Sequence, residues 1–165
     1  MDRRVIPRRL HQIWIGPRPA PDRWIGTWLR LNPDFEHRLW DDAAIEAFGL
    51  CNDAVYRRFV DSGIYDGAAD VARAEILHRC GGVYVDVDSV ALRPIHDAGF
   101  MRAGFFAQYE ASDQHPGLIT NAFMGAVTGH GVLALHRGDV ACRRAPPDVA
   151  PHGSRRADGC AAFCP

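Results

Sequence analysis

Apolar and polar positions change period repeatedly along the chain, and each change predicts an element. Leu10-His11-Gln12-Ile13-Trp14-Ile15 is a β-branched and aromatic run closed by Gly16-Pro17, the pattern of a buried strand that opens into a loop. Trp24, Ile25, Trp28, Leu29 and Leu31 recur at helical spacing, which puts them on one face of a helix that begins near Pro21-Asp22 and stops before Asn32-Pro33. Phe35 to Trp40 reads as a second strand. Asp41 and Asp42 are placed to cap a short helix through Phe48 with Gly49 behind it; Asn52 and Asp53 are placed to cap another, carrying Val55, Phe59 and Val60 up to Gly63.

The sharpest helix signal runs from Ala68 to Arg79, with Val71, Ala74, Ile76 and Leu77 apolar and Gly81-Gly82 as its stop. Val83-Tyr84-Val85-Asp86-Val87-Asp88 follows at once, the pattern of a buried strand whose C-terminal end emerges at a surface. Gly104 to Tyr109 and Ala122 to Val127 predict two more strands, and Val132 to Arg137 a turn or two of helix. Strands and helices interleave throughout, so the fold class is α/β. Residues 142–165 hold only Val149 and Phe163 as large apolar side chains, against four prolines and four arginines. The expected organisation is one α/β domain over residues 1–141 and a poorly ordered tail over 142–165.

Composition narrows the classes further. The 165 residues suffice for one domain, and 19 basic against 20 acidic residues give a net charge of −1 with no long block of one sign. That balance argues against general nucleic-acid binding. Every basic residue is arginine, so mechanisms that require a lysine are excluded. No apolar stretch reaches the ~18 residues of a transmembrane helix, and Met1 to Pro7 shows no apolar signal region, so a cytoplasmic location is expected. The five cysteines then read as free thiols, with Cys80 a small buried residue. Cys142, His152, Cys160 and Cys164 lack the two short paired spacings of a structural zinc site.

Asp86-Val87-Asp88 is the main chemical signal. Residues i and i+2 of a strand share a face, so the two carboxylates are placed within reach of one cation, and hard ions such as Mn²⁺ and Mg²⁺ share such oxygens with substrate phosphates. A solvated acid pair is the plain alternative. Asp70 and Arg73 lie one turn apart on the preceding helix, either as an intrahelical ion pair or as a polar face beside the Asp-x-Asp loop, where Arg73 binds an anion and Asp70 a hydroxyl group. On the second reading, loss of Arg73 weakens binding and leaves folding nearly unchanged. An aspartate-nucleophile phosphatase also places acids at the end of an apolar strand. Its strand, however, lies near the N-terminus, and it needs a later basic residue, usually lysine, and a second acidic pair; here the strand is central and no later acidic pair exists.

Ile6 to Gly16, Gly67-Ala68-Ala69-Asp70-Val71-Ala72-Arg73 and Gly81 to Asp88, in that order, resemble the sugar-binding-region, Asp-x-Asp glycosyltransferases. That family includes capsular polysaccharide and mannosyl transferases and, more distantly, the catalytic domains of clostridial glucosylating toxins. Asn121-Ala122-Phe123-Met124-Gly125-Ala126 resembles a segment that follows in the same family. The resemblance implies a glycosyltransferase-A type α/β fold, a nucleotide-sugar donor, with a uridine diphosphate sugar favoured, and transfer with retention to a glycan, lipid-linked or protein acceptor. It implies that Trp14 stacks on the base, that Asp70 and Arg73 hold donor hydroxyls and the diphosphate, and that Tyr84 borders the donor. Asp88 is implied to bind Mn²⁺ or Mg²⁺ directly, with Asp86 contacting the donor or a metal-bound water. The family's C-terminal region is not recognisable after about Gly138, so a truncated or degenerate transferase that binds the donor without efficient turnover is the alternative.

Overall fold

The computed structural model describes residues 5–95, 99–109 and 117–136. The reading of 142–165 as a tail, and the cysteines and histidine considered there for zinc, fall outside the described residues. The element order is β1 (Arg9–Ile13), α1 (Asp22–Leu31), β2 (Glu36–Trp40), α2 (Asp42–Phe48), α3 (Asp53–Asp61), α4 (Tyr65–Cys80), β3 (Gly82–Val85), a 3-10 turn (Gly99–Arg102), β4 (Phe105–Tyr109), β5 (Ile119–Ala126) and α5 (Gly131–His136). Five strands form one mixed sheet in the order β2-β1-β3-β5-β4. β1 runs parallel to both β2 and β3, whereas β5 runs antiparallel to both β3 and β4. Among the described residues no helix is long and apolar enough to cross a membrane.

The period of two along the central strands sorts side chains into two cores. Leu10, Val83 and Val85 point to the face that packs Trp28, Phe35, Ala91, Ile95 and Met101. Ile13 and Tyr84 point to the other, with Trp40, Phe48, Ile76 and Leu77. Helix α4 lies against this second face and is buried at Ala68, Ala72, Ala74, Ile76, Leu77 and Cys80, and also at Arg73 and Glu75. It begins at Tyr65, a turn before the apolar pattern predicts, because the buried side of its first turn is made of small residues that carry little periodic signal. Asp41 caps α2 as expected, its side chain accepting from the Ala44 amide at 2.8 Å. Asn52 makes no such bond for α3. The amides of Cys51 and Asn52 instead donate to the Glu75 carboxylate, at 2.6 and 2.7 Å.

The glycine pair between α4 and β3 is fixed by space as well as by backbone angle. Gly81 ends the helix at φ 65°, and Gly82 follows at φ 114°. A Cβ at Gly82 would lie 2.7 Å from the Arg9 carbonyl oxygen and 2.9 Å from His11 Nε2. His11 is fully buried; its Nε2 donates to the Gly81 carbonyl at 2.8 Å, and its Nδ1 accepts from the Trp40 indole at 3.1 Å. These two partners require the neutral imidazole. Burial is the largest cause that brings the His11 pKa down to about 4.

Cys51 and Cys80 are each disulfide-bonded, which corrects the expectation that all cysteines are free thiols. The last turn of α4 is brought onto the α2–α3 connection by Arg79, whose Nη1 donates to the Phe48 and Gly49 carbonyls at 3.1 and 2.8 Å. Its guanidinium also sits 3.6 Å above the Phe48 ring. Positions so far apart in sequence carry no spacing signal that pairs them.

Two outcomes follow from these contacts. His11 is neutral in both folded and unfolded chains above about pH 6.5. As pH falls toward 4 only the unfolded form gains the proton, so urea denaturation should show on the order of 3 kcal/mol of stability lost across that window. A His11→Gln chain should lack this part of the acid dependence. For these cysteines, alkylation after treatment with a dithiol should label Cys51 and Cys80, which resist labelling beforehand, and reduction should lower stability in urea melts.

Candidate functional site

Strand β3 carries the central acids to the sheet end. It stops at Val85, not at Asp88: the Asp86 amide still bonds the Ala122 carbonyl of β5 at 2.9 Å, but the Ser89 amide turns back to the Asp86 carbonyl at 3.2 Å. Asp86 and Asp88 therefore occupy a turn, and the strand-pleat argument for their common face does not apply. They nevertheless line one cleft of about 810 Å³. Their surroundings differ. The Asp86 side chain is 30% exposed and ion-paired, whereas Asp88 is exposed and makes no side-chain hydrogen bond or ion pair among the described residues.

Arg73 organises the acids on the cleft wall. Its Nη2 meets Asp70 at 2.9 Å, and its Nη1 meets Asp86 at 3.3 Å and donates to the Asn121 carbonyl at 2.8 Å. The Asn121 side-chain amide donates in turn to Asp70 at 2.9 Å. Tyr84 lies beneath, with the guanidinium 4.4 Å above its ring and its hydroxyl donating to Asp86 at 2.8 Å. Arg73 is only 6% exposed, and its Nε is buried without a partner. Burial raises the Asp86 carboxyl above its ordinary range; Arg73 and the Tyr84 hydroxyl oppose the rise, while the charges of Asp88 and Asp70 add to it. Burial also holds Tyr84 well above the ordinary phenol value, so it remains a protonated donor.

Trp14 stands at the mouth of β1 and is half-buried, not a core residue. Its indole donates to the Arg18 carbonyl at 2.7 Å, and the residue lines the cleft together with Tyr65, Asp66, Tyr84, Asp86 and Asp88. Asp70 and Arg73 line an adjoining cavity of about 330 Å³ instead, with Asn52, Phe59, Asn121 and Met124. The predicted residues thus form two connected groups: Trp14, Tyr84, Asp86 and Asp88 in the large cleft, and Asp70 and Arg73 on the wall between it and the small cavity.

The donor set suits a hard divalent cation. Among the described residues no group of three or more His, Cys, Asp or Glu is arranged to hold a metal. Two carboxylates at the edge of a polar cleft leave coordination positions open, which is how Mg²⁺ and Mn²⁺ are held when substrate phosphate oxygens share them. Asn121, Asn52 and Tyr65 were not marked as site residues by sequence reasoning. Asn121 heads the family-like segment, and that position is the one signal that points to it; the antiparallel pairing that brings it to Asp70 is not visible in the chain.

A family model described as glycosyltransferase sugar-binding region containing DXD motif matches residues 21–105. Inositol phosphoceramide mannosyltransferase 3 of Schizosaccharomyces pombe is 31% identical over 137 residues, covering 78% of this chain and 35% of that protein. An uncharacterized glycosyltransferase of Acanthamoeba polyphaga mimivirus is 35% identical over 108 residues, covering 62% of this chain and 42% of its own length. The chain therefore spans well under half the length of these curated relatives. In structure it is similar to PaToxG Glycosyltransferase, with a TM-score of 0.64 at 17% identity over 79% of this chain and 58% of the other, which shows a shared fold.

The geometry changes what removal of Arg73 should do. A cation that faced open solvent would be lost with little effect on folding, but this one is buried among four protein partners. Arg73→Ala should cost about 2–4 kcal/mol of unfolding free energy, read from urea melts, because Asp86 is left half-buried without its cation.

Proposed function

The chain belongs to the sugar-binding-region, DXD-containing glycosyltransferases, and from this we propose that it moves a sugar from a nucleotide-diphosphate donor to an acceptor hydroxyl with the help of Mn²⁺ or Mg²⁺. The observation that carries the reading is the meeting of Trp14, Asp86 and Asp88 in one cleft beside the Arg73 cluster. A uridine base, retention at the anomeric carbon, and a glycan, lipid-linked or protein acceptor come with the family resemblance. The carboxylates support the cation.

In this proposal Trp14 stacks on the base, and the exposed Asp88 is the direct cation ligand. Asp86, with one oxygen committed to Tyr84 and Arg73, offers its second oxygen to the donor or to a metal-bound water. Tyr84 and Arg73 hold that carboxylate in place. Asp70 is half exposed and takes donor hydroxyls at the small cavity, oriented by Arg73 and Asn121. Asp88, with Asp86 behind it, would hold the divalent cation, and that ion would supply positive charge to offset the charge building on the leaving diphosphate.

Titration of uridine diphosphate with and without Mn²⁺ tests the reading. Affinity should fall by roughly tenfold or more in chelator, and Asp88→Ala should abolish the metal dependence. Equal affinity in chelator, or full metal dependence in Asp88→Ala, overturns the cation role. A screen of nucleotide sugars with Mn²⁺ then separates a working transferase from a chain that binds without turnover.

A further inference from the structure

Between the end of β3 and Ile95 the chain has no strand or helix, yet it carries Asp88, whose side chain has no hydrogen-bond partner among the described residues to hold it. Its place is set through its backbone neighbours, and those are tied to α1. The Trp28 indole N–H is shared between the Ser89 carbonyl at 3.3 Å and the Ser89 hydroxyl at 3.1 Å. The Ser89 hydroxyl in turn donates to the Asp86 carbonyl. Farther along, the Ala91 amide donates to Thr27 Oγ1 at 2.9 Å, and the Ile95 amide to Asn32 Oδ1 at 2.7 Å. Asn32 itself is locked by its side-chain amide to the Trp28 carbonyl at 2.9 Å.

We propose that α1 is a clamp for the Asp-x-Asp turn, and that Trp28 and Ser89 are positioning residues that fix where Asp88 meets the cation. The proposal rests on the cation role assigned above to Asp88. Residue 88 lies between two anchored residues: Asp86, held by its amide to β5, and Ser89, held by the indole. The Trp28 ring belongs to the same core cluster as Leu10, Val83 and Val85 and stands 6.1 Å from the Phe123 ring, so the apolar part of the side chain and its polar edge have separable roles. Two carboxylates that share one cation with a diphosphate tolerate little displacement, and partners that orient a ligand from behind affect metal affinity by roughly tenfold or more.

Trp28→Phe keeps an aromatic ring in the core and removes the N–H donor together with part of the indole; Ser89→Ala removes only the hydroxyl that links the indole to Asp86. Mn²⁺ affinity of each folded variant is read by electron paramagnetic resonance of free Mn²⁺ with uridine diphosphate present, next to amide hydrogen exchange at Ser89 and Ala91. Both variants should bind Mn²⁺ roughly tenfold more weakly than the unaltered chain, with faster exchange at the turn and a small change in melting temperature. Mn²⁺ affinity within twofold of the unaltered chain in both overturns the proposal, even if exchange quickens, since the clamp would then serve stability alone. Should Trp28→Phe fail to fold, Ser89→Ala decides. An unaltered chain that binds no Mn²⁺ overturns the cation role and this proposal together, and that result is visible before any variant is made.

Discussion

A guanidinium leaves water only at a heavy cost unless acceptors take up its protons, and most of the site follows from how that demand is met at the two terminal nitrogens of Arg73. Its acceptors come from three places in the chain: Asp70 on the same helix, Asp86 beyond β3, and the Asn121 carbonyl on β5. Helix α4 is thereby locked in rotation and height against two strands. One interaction holds the helix, the first aspartate and the small cavity in a single arrangement. Replacement by a well-packed apolar residue would remove the charge and also the reason for Asp86 to sit where it does.

Glu75, two residues on and also buried, does the corresponding task in the other direction by receiving the amides of Cys51 and Asn52. A helix with charged residues of both signs inside it gains little net stability from them, since desolvation offsets much of the attraction. What they supply is register. Arg73 fixes α4 to the sheet, and Glu75 fixes the α2–α3 connection to α4, so Asn52 and Asn121 face one cavity from opposite elements.

Much of this was legible along the chain because it is local. The apolar runs Leu10 to Ile15 and Val83 to Val85 mark buried strands, Gly81-Gly82 marks a helix stop, and the Asp-x-Asp pair with Asp70 and Arg73 marks a polar end of the fold. The family resemblance added Trp14, which periodicity alone reads as a core tryptophan. What stayed hidden depends on contacts between distant positions: the turn that ends β3 at Val85, the burial of Arg73, the disulfide bonding of Cys51 and Cys80, and the separation of Asp70 and Arg73 from the large cleft. Arg73 in particular reads from sequence as an intrahelical ion pair or an anion-binding group, since nothing nearby in the chain announces the Asn121 carbonyl.

Strand β3 is the seam of the sheet, with a parallel neighbour on one side and an antiparallel one on the other. At that seam the exits of β1 and β3 and the entry of β5 gather at one rim, so three unrelated connections border the same opening. The one after β3 is pinned to α1, whereas the other two can lengthen or change composition without shifting any strand pairing behind them. The fold therefore separates inheritance into two parts: a sheet whose registers must be kept, and a rim free to diverge, where relatives with the same acids can come to prefer different donors and acceptors.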